Sequence, residues 1–257
     1  MKIKFIGTGS GLTSLKRYHS SFIVFADNYN LLVDAGDGIS RALLANHVPF
    51  KDINGILLSH LHPDHFSGLG ALLVQMKLTN RENTLDIFVN QKVMGFVKKF
   101  VMQSYIFIEK MGFEINYKTF SDGKKTNVDK EFSFYSKQNS HLDKYKQYDT
   151  AGRLKFSCNS FLFEGNAKSF FYTGDIGTAK DLYLFEDYKF NSMITEISHV
   201  PADDIMDAFI QQKAKILVLT HISDEDQDVI AGLYRRPEAI GKHNIVTALD
   251  GDVIEIL

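Results

Sequence analysis

The chain has 257 residues, with 29 Lys+Arg against 31 Asp+Glu, 44% apolar and 23% charged residues, and one cysteine. That balance excludes a disordered, collagen-like or coiled-coil chain, and the length is ample for a sizeable core. Cys158 alone excludes an intramolecular disulfide and a cysteine-rich zinc module and fits a reducing, cytoplasmic setting, while a net charge of −2 leaves no general footprint for long nucleic acids.

No apolar run approaches the roughly 18–20 residues of a membrane helix, and the N-terminus has no apolar stretch of signal-peptide type, so no membrane partner is expected. Lys2–Ile6 alternates apolar and polar residues and runs into Gly7-Thr8-Gly9-Ser10-Gly11. Ser21–Ala26 and Asn30–Val33 read as a hairpin turning at Asp27-Asn28. A helix is expected over Gly38–Asn46, a buried strand over Ile53–Ser59, a helix over Leu69–Leu78 and a strand over Leu85–Val89. Lys92–Gln103 reads as a helix with Val93, Phe96, Val97 and Phe100 on one face.

Ser121–Lys130 is polar and turn-rich and reads as a loop between strands. Strands follow at Phe132–Tyr135, Ser160–Phe163, Ser169–Tyr172 and Met193–Glu196. Pro201–Gln212 is a helix whose start is marked by Pro201 and Asp203-Asp204. Ile216–Leu219 is a strand and Glu225–Tyr234 a helix. Asn244–Ala248 and Val253–Ile256 close the chain as strands about a turn at Asp250-Gly251. Strand runs with interspersed helices in both halves predict an α/β chain of two mixed sheets with helices outside, in one domain over residues 1–257.

The strongest chemical signal is Ser59-His60-Leu61-His62-Pro63-Asp64-His65, directly after the buried strand. Imidazole nitrogens and carboxylate oxygens are ligands for zinc and neighbouring transition metals. Alternate residues of an extended turn point the same way, so His60 and His62 can share one ion while Asp64 and His65 face a second. The bland reading is a His-rich polar turn.

His60-X-His62-X-Asp64-His65 after a strand resembles the signature of the metallo-β-lactamase-fold hydrolases. The order of elements is similar too: a hairpin ending in Asp34-Ala35-Gly36, a strand, the His motif, then Phe66-Ser67-Gly68-Leu69 opening a helix. The resemblance runs from Lys2 to Leu257 and implies a four-layer αββα sandwich. It also implies three further ligands past strand ends, filled here by His141, Asp175 and His221. His60, His62 and His141 would then hold one ion and Asp64, His65 and His221 another, with Asp175 between. The implied cofactors are two divalent ions, zinc first, with manganese or iron as alternatives. The implied chemistry is hydrolysis by a metal-bridging hydroxide, oriented by Asp64. His62 stands where flavin-linked di-iron relatives usually carry Glu, which favours the hydrolases.

Within the family, Leu219-Thr220-His221-Ile222-Ser223 is similar to the last-histidine motif of the phosphodiesterase branch that includes ribonuclease Z. Thr195-Glu196-Ile197-Ser198-His199 loosely resembles that enzyme's His-Glu-Ala-Thr motif, with Thr195 in the histidine slot. His199, four positions on, is then the candidate to protonate the leaving oxygen, oriented by Glu196. The alternative is a solvated histidine before a helix. Only 34 positions separate His141 from Asp175, too few for the Gly/Pro-rich arm with which relatives grip tRNA. The expected substrate is therefore a small phosphodiester, a cyclic nucleotide or a short RNA end, with long nucleic acid doubtful. A homodimer is compatible with the branch. The rival readings are a lactone, thioester or β-lactam hydrolase on the same fold, or a non-catalytic binding or sensing protein.

Other signals carry less. Gly7–Gly11 is no dinucleotide fingerprint, because Leu12 stands at the third glycine position, and it reads as a loop near the metals. His19 lies beside that loop, as a surface or pocket-lining residue. His47 and His243 read as surface positions, and Cys158 as a core or pocket-wall residue. Lys144-Tyr145-Lys146, Arg153 and Lys155 can reach a phosphate, although such a run is ordinarily a solvated face.

Overall fold

The computed structural model describes residues 1–236 and 244–256, so His243 lies outside the described residues. The first sheet contains β1 (Lys2–Gly7), β2 (Ser21–Ala26), β3 (Tyr29–Val33), β4 (Gly55–Leu57), β5 (Leu85–Asn90) and β6 (Ile115–Phe120) in that order, with the last strand, β14 (Val253–Glu255), outside β1. The second contains β7 (Lys125–Asn127), β8 (Phe132–Gln138), β9 (Asn159–Gly165), β10 (Lys168–Tyr172), β11 (Ser192–Glu196), β12 (Ile216–Thr220) and β13 (Asn244–Thr247).

Helices α1 (Ile39–Ala45), α2 (Pro63–Phe66), α3 (Leu69–Leu78) and α4 (Met94–Gln103) follow strands of the first sheet, and α5 (Ala202–Gln212) and α6 (Gln227–Tyr234) follow strands of the second. Three apolar layers hold these pieces together. Ile39, Leu72, Leu73 and Val97 pack from the helices onto the first sheet, and Ile205, Phe209 and Leu233 pack onto the second. Between the sheets lies a phenylalanine-rich layer that includes Phe22, Phe88, Phe134, Phe161 and Tyr172. This is the four-layer αββα arrangement expected. Central strands β4, β11 and β12 are buried along their length, which explains their unbroken apolar runs.

The two sheets repeat one pairing scheme. From β14 and from β7 alike, three antiparallel pairings precede three parallel ones. Strands β1, β3, β4 and β5 therefore run one way in the first sheet, as do β8, β10, β11 and β12 in the second. Their C-terminal ends carry the loops that build the site.

Three expectations need correction. Asp250-Gly251 does not close a hairpin, because β13 pairs with β12 while β14 pairs with β1 in the other sheet. The turn instead bonds to β1, through Gly251 N–H to the Phe5 carbonyl at 2.8 Å and Phe5 N–H to the Asp252 carbonyl at 2.9 Å. The segment Ser121–Lys130 contains β7, an edge strand paired with β8. Phe96 does not face the core with Val97 but is 53% exposed. Beyond these, β6 was not anticipated, because INYKTF buries only its two ends.

Phe134 sits at the centre of the middle layer, its ring 5.6–5.9 Å from those of Phe88, Phe120, Phe161 and Phe163. Phe134→Ala removes these contacts and leaves a cavity, so unfolding free energy should fall by about 3–5 kcal/mol. Denaturant unfolding checks this, and a loss below about 1 kcal/mol, the ordinary effect of a substitution, would contradict such a role.

Candidate metal centre

The His motif leaves β4 at Leu57 and turns at once. Pro63 opens the single-turn helix α2 after an extended His62, which suits proline's fixed φ and missing N–H. His60 and His62 thus lie on the turn, and Asp64 and His65 on the first helical turn. Gly36 permits this packing: a Cβ there would lie 1.8 Å from the Asp64 carbonyl oxygen. The second sheet repeats the device. Asp175-Ile176-Gly177 mirrors Asp34-Ala35-Gly36, and a Cβ on Gly177 would lie 2.4 Å from the Ser140 carbonyl, beside His141.

All seven residues expected as ligands come together, in two groups. His60, His62, His141 and Asp175 place one ligand atom each within 4.8 Å of one another, and so do Asp64, His65, Asp175 and His221. Asp175 belongs to both. Its Oδ2 lies 4.0 Å from His60 Nε2, 3.8 Å from His141 Nε2 and 3.3 Å from His221 Nε2, and its Oδ1 lies 3.3 Å from His65 Nε2. Asp64 Oδ2 is 3.3 Å from His65 Nε2 and 3.4 Å from His221 Nε2. His141 Nε2 is 3.1 Å from His62 Nδ1.

These groups suit metal ions. The buried Nε2 atoms of His60 and His65 have no hydrogen-bond partner, which costs free energy unless something satisfies them. Mixed imidazole and carboxylate donors of this kind can bind zinc or its neighbours.

Two residues of the quoted motifs prove to have roles the linear pattern did not assign. The Asp34 carboxylate is fully buried and accepts the Ser59 N–H and Ser59 Oγ–H at 2.7 Å each. It also accepts His65 Nδ1–H at 2.8 Å. The Ser59 hydroxyl has only one proton to give, so its oxygen accepts from His60 Nδ1 at 3.0 Å. Both rings are thereby fixed with Nε2 turned to the site, the usual support for metal-binding histidine.

Asn139 organises the other wall. Its Nδ2 donates to the Asp175 carbonyl at 2.9 Å, and its Oδ1 accepts the His141 N–H at 3.2 Å. Cys158 is buried as expected, its thiol donating to the same carbonyl at 3.4 Å. Burial pushes that thiol well above its usual pKa, which makes it unreactive.

Glu196, buried at the end of β11, accepts the N–H groups of Ile176, Ser198 and His199 and the His199 Nδ1–H at 2.8 Å. His199 is not a loose surface group. Its ring centre lies 4.8 Å from that of His141 and 5.7 Å from that of His221, with 26% of the side chain exposed. Thr195 is buried, its hydroxyl bonded to Thr173. The Gly7–Gly11 loop does reach the site, since a Cβ on Gly11 would lie 3.1 Å from Asp64 Oδ2. His19 is half-buried and bonds the Ser10 carbonyl, and His47 is exposed.

The two groups differ electrostatically. Burial pushes His60 well below its ordinary pKa, aided by the neighbouring His65; burial also lowers His62, and lowers His141 to about 4. Burial opposes charge on His65 and His221 as well, but it is overcome by Asp175 and Asp34 at His65, and by Asp175 and Asp64 at His221. Both stand above the usual imidazole range. Burial likewise opposes ionisation of Asp175 and Asp64, yet the surrounding histidines keep both carboxyls well below theirs.

Among the described residues no helix is long and apolar enough to cross a membrane. A family model described as anti-Pycsar protein Apyc1 matches residues 1–234. Ribonuclease Z of Methanococcus aeolicus is 31% identical over 105 residues, which are 41% of this chain and 33% of that protein. Anti-Pycsar protein Apyc1 of Bacillus phage BSP38 is 32% identical over 88 residues, 34% of each chain. The matched segments thus span about a third of the length of these relatives. The metallo-β-lactamase fold protein YhfI from Bacillus subtilis superposes with a TM-score of 0.77 at 17% identity, covering 98% of both chains. The metallo-β-lactamase fold and the ribonuclease Z-like branch, implied by the motifs, are thereby borne out.

The electrostatic contrast sets a test. The neighbouring carboxylates favour the protonated form of His65 and His221, so a cation entering the Asp64–His65–His221 group competes with protons and zinc affinity should rise with pH. Calorimetric titration of metal-free protein in buffers of different ionisation heat should reveal proton release. A binding heat independent of buffer would contradict this proton inventory.

Proposed function

The chain belongs to the family of the anti-Pycsar protein Apyc1, and from that premise we propose that it is a metal-dependent hydrolase of a small phosphodiester, such as a cyclic nucleotide or a short RNA end. The observation that carries this reading is the pair of four-donor groups joined at Asp175. His60, His62 and His141 would hold one divalent ion and Asp64, His65 and His221 a second, with Asp175 touching both. Zinc suits the donors best, with manganese and iron as alternatives. Such ions would acidify a bound water and neutralise the charge of a phosphate.

The protein groups do the remaining work. The Asp64 carboxylate, ionised and partly exposed, accepts a hydrogen bond from the attacking water and orients it. Asp34 and Ser59 keep the His65 and His60 rings from turning. Glu196 accepts His199 Nδ1–H, and in its imidazolium form the ring also carries a proton on Nε2, which it can deliver to the leaving oxygen, returning to neutral imidazole. His199 thus takes the place left by Thr195.

The small substrate is supported by the interval between His141 and Asp175. It carries a short 3₁₀ turn, Asp143–Tyr148, and then β9 and β10, leaving no arm to grip an RNA fold. The cytoplasm, expected from the cysteine content, suits such a substrate.

The reading is tested with bis(p-nitrophenyl) phosphate and 3′,5′-cyclic nucleotides. Wild-type protein should cleave both, and chelation or His62→Ala should abolish cleavage. His199→Ala should slow the cyclic nucleotide by about 10²–10⁴-fold, the usual contribution of a general acid. It should hardly affect the p-nitrophenyl ester, whose leaving group needs no proton. Hydrolysis of carboxylic esters or lactones without any phosphodiester cleavage would contradict the reading, and equal losses on both substrates would remove His199 as the acid.

A further inference from the structure

The loops that carry His141 and Asp175 meet at a buried acid. Asp181 lies in the 3₁₀ turn Ala179–Tyr183 and is 6% exposed. Its Oδ2 accepts the Ser140 Oγ–H at 2.6 Å, the Gly177 N–H at 2.9 Å and the Thr178 N–H at 3.2 Å. The Ser140 N–H lies 3.2 Å from both carboxylate oxygens. Ser140 immediately precedes His141, and Gly177 stands just past Asp175. The turn itself is anchored. Leu182 is buried in the apolar layer between the second sheet and its helices, and its carbonyl accepts Gln212 Nε2–H from α5 at 3.0 Å.

Capping the turn explains only part of this. Thr178 and Asp181 form a capping box, in which the carboxylate bonds the Thr178 N–H. The bonds to Gly177 and to Ser140, 41 positions away in sequence, lie outside that motif. They join loops that already touch, since a Cβ on Gly177 would lie 2.4 Å from the Ser140 carbonyl oxygen.

We propose that Asp181 is a positioning residue for the first ion, setting where His141 stands relative to Asp175. The proposal rests on the two-ion reading above and assigns the first ion a support of its own. His141 Nε2 and Asp175 Oδ2 are 3.8 Å apart, and both belong to the first group. Asn139 already ties the two loops together near their bases. One tie leaves the loops free to pivot, and Asp181 supplies the second, which removes that freedom. The second group shares Asp175, but its other members follow β4 and β12. On the first sheet Asp34 gives His65 comparable support.

The test isolates each ion. His221→Ala protein keeps the first group intact, and His141→Ala protein keeps the second. Zinc affinity of each, prepared metal-free, is measured by competition with a chelating dye. Adding Asp181→Ala should weaken zinc binding by about 10–100-fold in the His221→Ala background, the usual cost of losing a group that orients a metal ligand. It should leave the His141→Ala background unchanged. Asp181→Asn should recover most of the loss, because a carboxamide oxygen can take the bonds now made by Oδ2. Ser140→Ala removes only the hydroxyl bond between the loops. It should give a smaller loss in the His221→Ala background and none in the other, and it carries the comparison if Asp181→Ala protein does not fold.

A merely structural acid would lower the melting temperature and weaken both backgrounds alike, and that result would overturn the proposal. So would first-group affinity indifferent to both Asp181→Ala and Ser140→Ala. The two readings fail separately. Zinc binding absent from both backgrounds and from wild type removes the metal centre and the role of Asp181 with it. Tight zinc binding in both backgrounds, unmoved by either substitution, removes Asp181 alone and keeps the hydrolase.

Discussion

The site depends on one buried carboxylate. The Asp175 side chain is 4% exposed and has imidazole nitrogens of four histidines within 4.0 Å. A carboxylate so placed is expensive to bury unless it is paired and bonded. Everything nearby serves that pairing. Asn139 and Cys158 hold the backbone carbonyl of Asp175, Glu196 holds the next N–H, that of Ile176, and Asp181 gathers the N–H groups of Gly177, Thr178 and Ser140. The loop is tied down at each residue in turn. That rigidity is what a shared ligand between two ions requires.

The repetition of the pairing scheme in both sheets explains why the ligands converge. Asp34 and Asp175 follow equivalent strands, β3 and β10, and each begins an Asp-X-Gly whose glycine lies flat against a ligand-bearing loop. The His motif after β4 and the Glu196–His199 segment after β11 are equivalents too. The halves differ in chemistry. Asp34 is a buried support for His65, whereas Asp175 lies among four histidines. The second-sheet counterpart of the His motif carries a Glu–His pair.

Much of this was legible because it is local or tied to strand ends. His60, His62, Asp64 and His65 share one turn, and His141, Asp175 and His221 each follow a strand whose apolar pattern is plain. The hidden parts depend on distance in sequence. Asp34 meets Ser59 across 25 positions and His65 across 31, and no local pattern announces such a bond. Phe96 fits the helical stripe of α4, but periodicity does not say how far the sheet beneath it extends, and its first turn overhangs a cleft. The closing turn at Asp250-Gly251 looks like a hairpin, whereas the buried Ala248 and Ile256 draw its flanks into the layer between the sheets. Polar residues within β6 and β7 mark sheet edges that alternation alone underreports.

The most direct measurement is the metal content of wild-type protein beside that of Asp175→Asn, read by elemental analysis and a metal-loaded crystal structure. If Asp175 is shared as described, wild type should carry about two divalent ions roughly 3.5–4 Å apart. The variant should keep its fold and lose at least one of them. Wild-type protein with a single ion, or Asp175→Asn retaining both at unchanged spacing, would contradict the account.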